Sequence, residues 1–190
     1  HERARMTLPE PLKRMLGIST NGNKKAVVSI PPPERPSLPA GADSDWVCIN
    51  AKDAYPTSVA LAVLRSADAP MMAKDVVSAV VDILPHVRRG SVNNIGTRED
   101  GKTIKRTKEG WELIHPETAP ILQDGMIWGS PTVFGKQELA AHRREAVLHL
   151  IRTVPAGLQT SQIIDHLKNC SWVHAPISKE LIQDDVEYWF

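Results

Sequence analysis

A chain of 190 residues suits one large domain or two small ones, and its 42% hydrophobic and 24% charged content is enough to build a core. Aromatics at 5% are too sparse for a ring-lined surface that stacks single-stranded nucleic acid, and the two cysteines, Cys48 and Cys170, exclude both a disulfide framework and a four-thiolate zinc site. The net charge of +1 announces no polyanion by itself, and no apolar run approaches the roughly 20 residues that cross a bilayer, so a soluble, cytoplasmic protein is expected, nucleoid-associated if bacterial.

The first fifty residues hold seven of the fifteen prolines, among them Pro31, Pro32, Pro33, Pro36 and Pro39. Proline fixes φ and removes an N–H, so residues 31–45 are expected to be extended, and residues 1–56 as a whole are read as an arm and linker with one short helix at 11–16. After Pro56, the hydroxyls of Thr57 and Ser58 lead into Val59-Ala60-Leu61-Ala62-Val63-Leu64, the composition of a buried first helix that stops near Pro70. Val76, Val77, Val80, Val81 and Leu84 then recur at helical spacing up to Pro85, which predicts a second helix.

Residues 91–100 read Ser-Val-Asn-Asn-Ile-Gly-Thr-Arg-Glu-Asp. Ser91 is the expected N-cap, Val92 and Ile95 the inward positions, and the remaining face is polar. Asp100-Gly101 signals a turn, and residues 103–107, a turn at Lys108-Glu109-Gly110 and residues 111–114 predict a two-stranded hairpin. Charge is concentrated here. From His86 to Glu109 seven Lys/Arg face three acids, a local net charge of +4, whereas residues 136–190 carry six Lys/Arg against seven Asp/Glu, a net charge of −1.

Helix, helix, polar helix and basic hairpin over residues 57–115 resemble the winged helix-turn-helix family of DNA-binding domains. The resemblance implies that the third helix enters the major groove and that the wing lies along the backbone. Two positions depart from the family's pattern: Gly96 stands where an apolar residue is usual, and Glu99 falls where another would help close the core.

Residues 116–135, with Gly125, Gly129, Pro131 and Gly135, read as a loose connector. Helical periodicity returns at 137–153 (Ala146, Val147, Leu150, Ile151), 160–169 (Ile163, Ile164, Leu167) and 176–190 (Leu181, Ile182, Val186, Trp189), with Ser178 as a cap. Residues 136–190 are thus expected to form a second, winged-helix-like unit without its hairpin. The expected fold class is mainly α with a small β-hairpin wing, in tandem units after a Pro-rich arm.

Lysine and arginine that displace condensed counterions supply the sequence-independent affinity for a duplex. Arg88, Arg89, Lys102, Lys105, Arg106 and Lys108, with Ser91, are the candidates for backbone contact. Base edges require donors and acceptors on a rigid helix, for which Asn93, Asn94, Thr97 and Arg98 are the candidates. The last helix carries Glu180, Asp184, Asp185 and Glu187 against Lys179, which repels phosphate, so the second unit is assigned to assembly, with Leu181, Val186, Trp189 and Phe190 as its interface and a homodimer or a protein partner expected.

His166, Cys170 and His174 recur every four residues but lack a fourth ligand, and Glu99, Asp100 and Lys102 resemble a nuclease's acid and lysine cluster only loosely. No phosphate-cradling loop or nucleophile elbow occurs in the sequence. The expectation is therefore a double-stranded DNA-binding protein in transcription control, with no cofactor, metal or catalysis. Two rivals are a protein-interaction scaffold of tandem winged helices, favoured by the small net charge, and the DNA-specificity part of a larger nucleic-acid-processing enzyme, compatible with a chain that begins at His1.

Overall fold

Seven consecutive buried positions, Ser58 to Leu64, make the first long helix apolar nearly all round, and such a helix belongs at the centre of a domain. In the computed structural model, which describes residues 35–154 and 157–190, that is where it lies. The short helix expected at 11–16 falls outside the described residues. The chain divides into two compact units, one of Pro36–His142 and one built on Arg143–Phe190. The described part is mixed: helices joined to small antiparallel sheets. Among the described residues no helix is long and apolar enough to cross a membrane.

The first unit begins with strand β1 (Val47–Asn50), followed by a 3-10 turn at Ala51–Asp53. Three helices follow: α1 (Pro56–Ser66), α2 (Ala73–Ile83) and α3 (Arg89–Glu99). Pro56 sits at the start of α1, where its missing N–H has no helical partner to lose. Strands β2 (Ile104–Arg106) and β3 (Trp111–Leu113) form an antiparallel hairpin in the register Ile104 to Leu113, Lys105 to Glu112 and Arg106 to Trp111. Met71, between α1 and α2, bridges antiparallel to Trp111 through Met71 N to Trp111 O at 3.0 Å and Trp111 N to Met71 O at 2.7 Å. The hairpin therefore continues back to the connection between the first two helices.

Two regions read as unstructured carry strands instead. β1 lies inside the expected arm, and β4 (Ile121–Gln123) and β5 (Met126–Gly129) lie inside the expected connector. They form one antiparallel sheet in the order β1-β5-β4, with Val47 opposite Gly129 and Ile121 opposite Trp128. Each run is only three or four residues long, too short for alternation to stand out; β1 pairs with a strand some 80 residues away, whereas β4 and β5 are joined by the two-residue turn Asp124-Gly125. Val47, Ile49 and Ile127 share a core with α1, α2 and α3, so the compact unit extends well beyond residues 57–115. Arg65, in the last turn of α1, ties this sheet to the helices. Its guanidinium donates to the carbonyls of Ala119, Glu117 and Gly41 and lies 5.4 Å from the ring centre of Trp46. Burial pulls the Arg65 pKa down from its ordinary value, with Glu117 and Asp43 acting in the opposite sense.

Helix α4 (Lys136–Thr153) begins in the first unit and ends in the second. Buried Glu138 in its first turn accepts from Gly135 N at 3.0 Å and Tyr55 N at 2.9 Å, which supplies partners for two backbone donors. The second unit comprises the end of α4, α5 (Thr160–Lys168) and α6 (Lys179–Trp189), matching the three helical segments expected there. Val147, Leu150, Ile163, Leu167 and Ile182 form its core. Ser178 caps α6 as expected, accepting from Leu181 N at 3.3 Å. At the start of α5 the Gln162 side chain accepts from Gln159 N at 2.8 Å.

Candidate nucleic-acid interface

Helix α3 starts two residues earlier than its sequence suggests. Arg88 occupies the N-cap without a side-chain capping bond, and Ser91 lies exposed inside the first turn rather than capping it. The reason is local: Pro85 and the turn from Leu84 to Val87 set the chain direction before Ser91 is reached, and Ser91 N already donates to Arg88 O at 3.0 Å. Val92, Ile95 and Gly96 face the core, leaving Asn93, Asn94, Thr97 and Arg98 exposed on the other side.

Gly96, the first departure from the family's pattern, has a steric explanation. A Cβ at this position would stand 2.1 Å from Cζ2 of Trp111, so the bare backbone receives the indole of the wing. The buried Trp111 supplies the apolar mass that α3 itself lacks. Gly110 is needed in the same way: its φ of +134° is open to glycine, and a Cβ would lie 2.3 Å from Met71 O.

Glu99, the second departure, organises the turn between helix and wing. It accepts from Thr103 Oγ1 at 3.0 Å and lies 3.3 Å from Arg98 Nε. Asp100 accepts from Arg106 N at 3.2 Å. Both carboxylates are thus engaged in shaping the turn. Lys102 is exposed beside them with no ion pair or side-chain hydrogen bond among the described residues.

The structure brings the two halves of the candidate surface together. Arg106 Nη1 on β2 donates to Thr97 Oγ1 on α3 at 3.4 Å, so the exposed face of the helix runs into the exposed face of the hairpin. Arg98 Nη2 donates to Thr57 Oγ1 at 2.5 Å, and Arg89 Nη2 donates to Ser78 Oγ at 3.1 Å. Thr57 and Ser78 were not among the expected site residues, and no local pattern could single them out, because they lie 41 and 11 residues from their partners. Lys105 pairs with its cross-strand neighbour Glu112 at 3.5 Å while staying exposed. Lys108 stands at the tip of the wing, where Thr107 N donates to Gly110 O at 2.8 Å to close the turn. Arg88, Lys102 and Lys108 are exposed and make no ion pair or side-chain hydrogen bond among the described residues.

The residues expected to form a protein interface are more committed than their sequence suggests. Val186 packs against the core of the second unit, Leu181 is half-buried, and half-buried Trp189 donates from Nε1 to Arg144 O at 3.0 Å. Phe190 and Tyr188 are exposed aromatics of α6 and its end, at 54% and 61%, with Arg144 lying 4.5 Å from the Tyr188 ring centre. Asp185, counted among the acids that repel phosphate, is buried and held by Arg143, with Nε to Oδ2 at 2.5 Å and Nη2 to Oδ1 at 3.1 Å. Arg143 also donates to Pro176 O at 3.1 Å. The outward charge of α6 is therefore Glu180, Asp184 and Glu187 against Lys179.

No group of three or more potential metal ligands occurs among the described residues. Cys170 is buried in the second unit, and burial pushes its thiol up from the ordinary range. The chain matches no known protein family, and neither curated proteins nor solved structures show a significant match to it.

Proposed function

We propose that the first unit binds double-stranded DNA, with α3 in the major groove and the β2–β3 hairpin against the phosphate backbone. The observation that carries this reading is the continuity of the exposed face of α3 with the basic hairpin through Arg106 and Thr97. Arg88, Arg89, Lys102, Lys105, Arg106 and Lys108 are all exposed on or beside these elements, where cations can displace counterions from a duplex.

The order helix, bridge strand, helix, helix, strand, strand supports a winged helix, because the Met71–Trp111 bridge supplies the short strand between the first two helices that anchors such a wing. A helix held on a three-helix core fits the width of the major groove, and a hairpin beside it lies over the flanking backbone. Transcription control by a cytoplasmic homodimer is the biological role that suits this surface, with the second unit mediating assembly. The outward acids of α6 favour a protein contact there over a phosphate contact.

The test is a mobility-shift titration of a random-sequence duplex at several salt concentrations. Binding that weakens steeply as salt rises supports the assignment, since each neutralised phosphate contributes a slope of about −0.9 in log K against log salt. Absence of duplex binding at low salt defeats it.

A further inference from the structure

We infer that the exposed face of α3 reads adenine through Asn93 and Asn94 and makes no guanine contact of its own. This rests on the proposal that α3 enters the major groove. Four exposed side chains on the helix were candidates for base contact, and the tertiary structure divides them into two pairs. Thr97 accepts from Arg106 Nη1 at 3.4 Å. Arg98 is drawn sideways, with Nη2 on Thr57 Oγ1 at 2.5 Å and Nε on Glu99 Oε1 at 3.3 Å, so one edge of its fork is occupied and its charge is balanced by a neighbour. Arginine grips guanine with two parallel N–H groups directed at O6 and N7, and the Nε–Nη2 edge of Arg98 must give up both Thr57 and Glu99 before it can turn to a base.

Asn93 and Asn94 have neither constraint. Both are exposed, and neither carboxamide has a hydrogen-bond partner among the described residues. They lie at the middle of α3, as the fifth and sixth of its eleven residues, on a face that a groove-bound helix turns to base edges. A carboxamide offers one acceptor and one donor side by side, which matches the N6 amino group and N7 of adenine in the major groove. Gly90 stands one turn before Asn94 on the same outward stripe, and a Cβ there would meet nothing within 4 Å. That stripe is therefore low and uncharged at its start. The surface combines charge-driven attachment to any duplex with a narrow, neutral reading edge.

The experiment uses the full chain and short duplexes of equal length at one salt concentration, either rich in A·T or composed of G·C only. The A·T-rich duplex is expected to bind about tenfold more tightly, the effect of a single good bidentate contact. Replacing adenine by deazaadenine, in which carbon takes the place of N7, should remove that preference, whereas the same replacement in guanine should leave binding unchanged. Because N7 lies in the major groove, a preference that survives the adenine replacement reports a narrow minor groove and overturns the inference. So does equal binding of both duplexes, with the proposed function left standing. Failure to bind either duplex removes the proposed function and the inference together. Asn93→Ala combined with Asn94→Ala should abolish the preference while preserving the salt dependence, and the deazaadenine arm needs no variant.

Discussion

The indole of Trp111 fills the space that a side chain at position 96 would occupy: a Cβ on Gly96 would lie 2.1, 2.5 and 2.7 Å from three of its ring atoms. A helix residue and a wing residue 15 positions apart thus fix the distance between α3 and the hairpin. The Gly96→Ala variant gains about 1 kcal/mol of helix propensity and is overpacked by a larger amount, so a net loss of about 2 kcal/mol is expected. Urea denaturation reads the outcome, and a variant as stable as the parent would show that the indole moves aside at little cost.

Lys108 and Arg106 separate charge from positioning. Lys108 has no partner among the described residues at the hairpin tip, so Lys108→Ala should weaken binding to every duplex, reduce the salt slope by about 1, and leave the melting temperature unchanged. Arg106 also holds Thr97, so Arg106→Ala should produce the same loss of slope together with faster hydrogen exchange in the turn between α3 and β2. A salt titration by mobility shift measures the slopes, and two unchanged slopes would remove the wing from the interface.

The ion pair of Arg143 and Asp185 is buried at both ends. Removing one partner leaves a charge with no water and no counter-ion, so Arg143→Met and Asp185→Leu should each destabilise the protein by about 3–5 kcal/mol. The double variant should recover much of that loss, because an apolar pair of similar volume carries no desolvation penalty. A double variant as unstable as Arg143→Met, with Asp185→Leu nearly neutral, would instead locate the cost in the contact between Arg143 and Pro176 O. Chemical denaturation of all three separates these outcomes.

Burial raises the Cys170 thiol pKa, so the reactive thiolate is scarcer in the folded protein than in the open chain at any pH below its folded value. Raising the pH through the ordinary thiol range ionises the unfolded thiol first. At pH 8 the native protein should therefore be alkylated at Cys170 more slowly than the urea-unfolded chain, as judged by peptide mass spectrometry. Equal rates would place the thiol in contact with solvent.

What the sequence determined by itself is local. The apolar run of α1, the valine periodicity of α2, the three helical segments of the second unit, the Ser178 cap and the β2–β3 hairpin all follow from spacing and capping chemistry within a few residues, and the structure has each of them. The concentration of cations between residues 86 and 109 was equally legible, since charge requires no partner to be counted. Tertiary structure decided the rest. Strand β1 needs a partner from the other end of the first unit, so the arm could not be recognised as strand from its own composition, whereas the β4–β5 hairpin is signalled locally by Asp124-Gly125 between two apolar runs, inside the stretch read as a connector. Gly96 and Glu99 departed from a familiar pattern until Trp111 and Thr103 were placed against them. Asp185 counted as surface charge until Arg143 enclosed it. The four polar residues of α3 were equivalent in sequence, and it was Thr57 and Arg106, reaching them across the fold, that separated Thr97 and Arg98 from Asn93 and Asn94.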